Sequence, residues 1–471
     1  MTFWTKFLPE LYTLLTAVIF LFLSLGKPNR NRDFQLALIL AAIGLIVCIA
    51  SVGQHGTLFG GTYRVDLFSQ IFKILIYIGF FLILCLCGNL NGVDEKWHTE
   101  FYLLMSICTM AMMLLTSCVH LLTLYLALEL SSYSLYIMVY LRKGFKYGIE
   151  AGIKYFFVGA TASVIMLLGF ALLYSQSRSM YLADLARELP NLIHLPVALF
   201  GFMLALSGFL FKLAAFPFHF WAPDVYEGAP HQAAGYIASV SKVAAIAVLV
   251  RLVSLAGGNQ HLAYFLIVLS LISMTVGNLA AVAQKDLKRL LAFSSVAHAG
   301  YVLIGILSMN ILGYISAVFY ALSLLVMKFT CFMTVVKASD NGRNLTIDQL
   351  AGLHKRAPML ALALMLALFS LAGIPPTIGF TSKLMVFTAA IRNGYFFLVL
   401  LAMFNVVISL YYYLKVLRAA YFLTPDSTAP AIVLSPALKL LLLGLIILMV
   451  VGGLYPRYFI VIAEAMTKSL I

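Results

Sequence analysis

Residues 436–453 read PALKLLLLGLIILMVVGG, a stretch that is apolar on every face of a helix. It shows no two-residue alternation, which excludes a strand of a membrane barrel, where lipid-facing and lumen-facing side chains alternate. A bilayer core of ~30 Å takes roughly 20 helical residues, and backbone polar groups inside it must be satisfied within the segment. The run therefore reads as a transmembrane helix. Comparable runs lie at 8–25, 34–52, 66–90, 101–117, 118–140, 149–174, 195–220, 231–256, 260–283, 289–308, 312–336, 357–391 and 394–418. The chain is 63% hydrophobic and 10% charged, whereas globular chains carry about a quarter charged residues. The expected fold is all-α and integral to the membrane, with about fourteen transmembrane helices.

Several classes of function are excluded. No Gly-rich dinucleotide or phosphate loop and no iron–sulfur spacing occurs, so redox cofactors would sit on partners. Cys48, Cys85, Cys87, Cys108, Cys118 and Cys331 all lie within or beside apolar runs and read as ordinary buried thiols. The first run shows no convincing cleavage site and reads as a retained span. The net charge of +14 matters less in a membrane protein than where the cations lie. With the loops numbered in order, the odd loops carry seventeen Lys and Arg, the even loops and termini eight. Cytoplasmic loops are enriched in cations, which predicts odd loops in the cytoplasm and both termini in the periplasm.

Six lysines remain, all inside spans: Lys73, Lys154, Lys212, Lys242, Lys328 and Lys383. A charge at mid-bilayer costs roughly 2.5–3.5 kcal/mol on insertion scales, so each needs a partner, water or a function. Lys73 and Lys154 lie near helix starts and can snorkel to the headgroups. The other four are hard to explain as anchors. None of the six is arginine. A desolvated lysine can give up its proton and arginine cannot, so the choice favours a proton relay over fixed charges.

The clearest acid inside a span is Glu129, in LYLALELSSYSLY at 124–136. Two lysine-bearing runs are interrupted. The first is FKLAAFPFHFWAPDVYEGAP at 211–230, with Pro217, Pro223 and Pro230 after Lys212; the second is SLAGIPPTIGFTSK at 370–383, with Gly373, Pro375, Pro376 and Gly379 before Lys383. Proline breaks the helical ladder, and broken helices in corresponding positions of two halves point to an ion path. The order of lysine and proline differs between the two. His298, in AFSSVAHAGY, is a further relay candidate because imidazole titrates near neutrality. His219 and Asp224 in the first break could lead protons in or cap helix ends.

The segment 211–230 resembles the signature of the N-type membrane subunit of NADH:quinone oxidoreductase, or respiratory complex I. LALELSSYSLY (126–136), EAGIKYFFVGA (150–160), QKDLKRLLAFSSVAHAGY (284–301) and the stretch 348–383 resemble the same family's blocks in the same order. The resemblance implies two inverted five-helix repeats with broken helices, spans four to eight and nine to thirteen, each forming half a proton channel. It divides the chain into an N-terminal three-helix region (1–100), two half-channels (101–256 and 257–418) and a C-terminal helix (419–471). It implies a relay of Glu129, Lys212, Lys242 and Lys383, with His298 and Lys328 as further candidates. Lys328 is a departure, since LVMKFTCF (325–332) stands where small residues are expected. Lys383 favours the N type over the M type, which typically has glutamate there. Unlike the L type, the chain ends at Ile471 with no long lateral helix. By the same resemblance the chain works in a bacterial inner membrane beside other antiporter-like subunits of complex I, and NADH, FMN, iron–sulfur clusters and quinone belong to partner subunits. The related alternative is a subunit of an Mrp-type cation/proton antiporter.

Overall fold

The computed structural model describes residues 3–144, 146–339, 342–424 and 431–470. Short polar caps start many of its helices. α1 (Leu8–Ser24) opens with Pro9 in its first turn, where the missing N–H is not needed. α2 (Arg30–Ala50) is capped by Asn29, whose side chain accepts from the Arg32 N–H. A small hairpin, β1 (Gly56–Leu58) and β2 (Tyr63–Val65), precedes α3 (Leu67–Cys85), which begins with a reciprocal Asp66–Ser69 cap.

Then follow α4 (His98–Ser117), α5 (Leu121–Tyr140), α6 (Lys146–Ser177) and the short surface helix α7 (Leu182–Leu192). The first interrupted run becomes α8 (Pro196–Ala205), α9 (Ser207–Leu213) and, after an irregular turn, α10 (Trp221–Gly228). α11 (His231–Val253), α12 (Gln260–Val282), α13 (Leu287–Leu307) and α14 (Ile311–Ala338) come next. The second interrupted run becomes α15 (Pro358–Ala372) and α16 (Ile378–Arg392). α17 (Phe396–Phe422), α18 (Pro436–Leu454) and α19 (Arg457–Leu470) complete the described chain.

Among the described residues, twelve helices are long and apolar enough to cross a membrane, and α1 and α15 are shorter apolar helices. α11, α13 and α14 are buried along nearly their whole length, while α2 and α18 are mostly exposed. The polar centre is therefore enclosed by helices that themselves face lipid or neighbouring proteins.

Strict alternation across the membrane can be checked from the loops. Short bridges pair Tyr63 with Cys118 and His120 with Tyr181, all in even loops. Others pair Val93 with Arg142 and Asp286 with Thr346, all in odd loops. Both ends of the chain lie on the even face. The Phe7 ring stands 5.2 Å from Phe59, and Ser469 Oγ accepts from the Phe68 N–H at 3.1 Å. It follows that α4 and α12, which open the two expected five-helix sets, start from opposite faces.

The helix α19 has no counterpart among the runs expected from sequence. It packs on α14 and α3 with one apolar face. The tightest crossing lies at the second break. A Cβ on Gly379 would come within 1.8 Å of the Ser370 carbonyl oxygen. That clash is with backbone, so Gly379→Ala is expected to cost about 1–3 kcal/mol or more. It should lower the amount of folded protein that survives heating in detergent. An unchanged thermal midpoint would mean that the two half-helices do not meet this closely.

Candidate functional site

Each break ends a half-helix in the left-handed region: Ala214 at φ 59° and Gly373 at φ 86°. That conformation suits glycine and costs an alanine roughly 1–2 kcal/mol. The strain at Ala214 must be held by surrounding packing, as is common where backbone has a function. The last carbonyls of a helix have no partner in the helix itself and carry the negative end of its dipole.

A buried lysine meets those carbonyls at both breaks. Lys242, from α11, donates to the oxygens of Leu213 at 2.7 Å and Lys212 at 3.1 Å. Lys383, from α16, donates to Leu371 at 2.8 Å and Ala372 at 2.9 Å. Each ammonium also lies over an aromatic ring, Lys242 at 5.2 Å from Trp221 and Lys383 at 4.7 Å from Tyr301. A Cβ on Gly373 would lie 2.8 Å from Lys383 Cδ, so glycine there leaves the lysine room. This resolves the unequal order of lysine and proline in sequence. At the breaks, Lys383 corresponds to Lys242 and not to Lys212.

Lys212 has a different role. Its ammonium donates to Ser131 Oγ at 2.6 Å, two residues along α5 from Glu129, which accepts from Ser163 Oγ. Among the described residues no ion pair joins Glu129 to Lys212, nor any carboxylate to Lys242, Lys328 or Lys383. The partners of these amines are neutral oxygens.

The second half carries two short polar chains. Lys328 donates to Leu291 O at 3.0 Å and to Ser294 Oγ. Ser294 in turn donates to Leu291 O at 3.1 Å. Tyr413 stands 3.3 Å from His298 Nε2, and His298 Nδ1 is 2.8 Å from Tyr320. All five side chains are buried. Sequence reading found Lys328 and His298 but missed Ser131, Ser163, Ser294, Tyr320 and Tyr413. Ser294 and His298, four apart, share a helix face; the tyrosines give no signal beyond their presence in apolar runs.

Two expected anchors diverge. Lys154 is half-exposed and bonds Glu150 and Asp224 at 2.7 Å, as a snorkelling lysine can. Lys73 does not snorkel. It is fully buried, 2.8 Å from Glu10 Oε1 and 2.9 Å from the Tyr63 hydroxyl. Two cations assigned to loops are buried as well. Arg251 forms a two-pronged pair with Asp66, and Lys288 donates to Ala229 O.

At the first break, Asp224 and Glu227 of α10 bond Arg289, and Asp224 also holds Lys154. Partial burial works against the Asp224 carboxylate, but bonds from Lys154 and Arg289 outweigh it and hold its carboxyl below the usual range. The contribution of this network is therefore complete above the ordinary carboxylate range and is lost as pH falls through the lowered value. His219 remains beside the break, its Nδ1 without a hydrogen-bond partner among the described residues and its ring centroid 4.1 Å from that of Phe220.

Comparison with known proteins places this geometry. The family model described as NADH:quinone oxidoreductase/Mrp antiporter, TM matches residues 118–409, a stretch that holds both breaks and every residue from Glu129 to Lys383. NADH-quinone oxidoreductase subunit N 2 of Syntrophobacter fumaroxidans is 57% identical over 99% of this chain and 100% of its own. A chain of respiratory complex I from Thermus thermophilus with bound aureothin superposes with a TM-score of 0.84 at 32% identity, over 96% of this chain and 98% of that one. A chain of the Mrp complex from Dietzia sp. DQ12-45-1b gives 0.87 at 19% identity, over 100% and 98%, a likeness of fold alone. With more than half its length matched by the family model and a full-length relative above 50% identity, the chain belongs to the NADH:quinone oxidoreductase/Mrp antiporter transmembrane family.

Proposed function

We propose that this chain is the N-type, antiporter-like membrane-arm subunit of a bacterial complex I and carries protons across the inner membrane. The observation that supports this most is the pair of breaks, each with a buried lysine on the carbonyl end of a half-helix and, among the described residues, no carboxylate paired with it. A permanent ion pair would not leave the amines with neutral oxygens only. An amine that alternates between charged and neutral can use them in both states.

The relay runs through Glu129, Lys212, Lys242 and Lys383, with Lys328 and His298 in the second half. In each step a protonated group, whether ammonium, carboxylic acid or imidazolium, releases a proton to the next basic group and keeps a lone pair that accepts the following proton. Loss of a proton from Lys242 also replaces the charge-assisted bonds to the carbonyls of Lys212 and Leu213 with weaker neutral ones, so the charge state is linked to the conformation of the break. Residues 101–256 and 257–418 are the two half-channels, between an N-terminal three-helix region (1–100) and a C-terminal region (419–471). Quinone reduction, with its NADH, FMN and iron–sulfur clusters, takes place on partner subunits and drives the relay from outside this chain. Both termini face the periplasm.

Two measurements test the reading. Purification in mild detergent should bring down other antiporter-like subunits and redox subunits together with this chain. A single reconstituted chain that exchanges Na⁺ for H⁺ unaided would instead make it an Mrp-type antiporter subunit. Single cysteines labelled from one side of sealed vesicles should report the 337–356 loop as cytoplasmic. Cytoplasmic labelling at both termini would reverse the orientation.

A further inference from the structure

Two cavities adjoin at the odd-loop face, away from the relay. The larger, of about 940 Å³, is an apolar groove between α2, α3, α14 and α18, lined by residues such as Phe34, Leu82, Leu325 and Leu441. The smaller, of about 350 Å³, is polar and is lined by His231, Gln232, Ser339 and Arg356 among others. Asn89, Lys337 and Val433 line both, so the polar chamber opens onto the apolar groove.

The rim is cationic. Lys337 stands at the junction and, among the described residues, forms no ion pair. Arg356 lines the chamber, and Arg30 reaches the same rim by donating to Gly88 O at 2.8 Å. The N-terminal turn of α11 adds its free N–H groups and the positive end of a 23-residue helix. His231, which lines the chamber, is buried, and its Nε2 engages Ser339 and Arg343 O.

From these features we infer that the paired cavities hold one anionic phospholipid, its phosphate in the chamber by Lys337 and the start of α11, its acyl chains in the groove. A free anion would use only the chamber. A helix from a neighbouring protein would fill the groove but leave the polar chamber beside Lys337 unfilled. Basic pockets between helices on the cytoplasmic side suit anionic headgroups, and the odd loops are the cation-rich ones. The lipid would join the N-terminal helices to α14 of the second half and α18 of the C-terminal region, at the head of the helix that carries Lys242 roughly 16 Å further along.

The experiment uses the assembled complex in lipid nanodiscs with a photoreactive acyl-chain analogue of phosphatidylglycerol, and peptide mapping of the adducts. Labelling is expected on α3, α14 and α18 near Leu82, Leu325 and Leu441, and only weakly from the phosphatidylcholine analogue. Lys337→Gln should reduce labelling about fivefold, as removing one lysine from an anionic lipid contact does. Leu325→Trp, which fills the groove and leaves the rim intact, should reduce it independently, with assembly checked on native gels. Equal labelling by both lipids, or no loss in Lys337→Gln, overturns the proposal. So does displacement by inorganic phosphate alone, or labelling that appears only after neighbouring subunits are removed.

Discussion

Lys73→Met is expected to destabilise the protein by about 3–5 kcal/mol, because it leaves Glu10 as a buried carboxylate without its cation. Glu10 is 1% exposed and Lys73 2% exposed, so neither can turn to water. Glu10 Oε1 accepts from both Lys73 and Tyr63, while Oε2 already has no partner. Glu10→Gln should be similarly harmful, since it strands the ammonium. The double variant Glu10→Gln with Lys73→Met should recover most of the loss, because both charges are gone. Survival of the assembled complex on native gels after graded heating measures all three. Single variants as stable as the parent would show that the pair is not a structural staple. This staple lies outside residues 118–409, in the N-terminal helices that the family model does not cover.

Glu10 and Lys73 also show where reading the sequence stops. A lone charge in an apolar run is conspicuous, which is why Glu129, Lys212, Lys242, Lys328 and Lys383 could all be picked out. What each one bonds is decided by helix packing, and spacing carries no trace of it. Glu10 sits three residues into the first helix and reads as an acid favouring the helix dipole, so its pairing with a lysine 63 positions away was hidden. Arg251 and Lys288 lie near helix ends, where hydropathy cannot tell an end facing water from one facing protein. The breaks were legible because proline and glycine act on the backbone locally. That Lys242, from another helix, serves the first break as Lys383 serves the second required the three-dimensional arrangement. α19 was missed because an amphipathic helix has no long apolar run to announce it.

The second large effect concerns Lys242, which lies at the centre of the account. It is buried in α11, it bonds the end of a half-helix that itself carries Lys212, and among the described residues no carboxylate pairs with it. If it passes protons, charge alone is not enough. Lys242→Ala removes the proton site, and Lys242→Arg keeps the charge but cannot release the proton. Both should leave the complex assembled while proton pumping and coupled quinone reduction fall by at least about tenfold. A lysine needed only as a fixed cation for the Lys212 and Leu213 carbonyls would behave differently, with arginine restoring function and alanine impairing assembly.

The most direct measurement is proton uptake into sealed vesicles driven by NADH, recorded beside quinone reduction, in the parent complex and in Lys242→Arg at matched assembly. A relay predicts that the arginine variant loses pumping nearly as completely as alanine does. Pumping at the parent rate in Lys242→Arg would contradict the relay and leave Lys242 a structural charge.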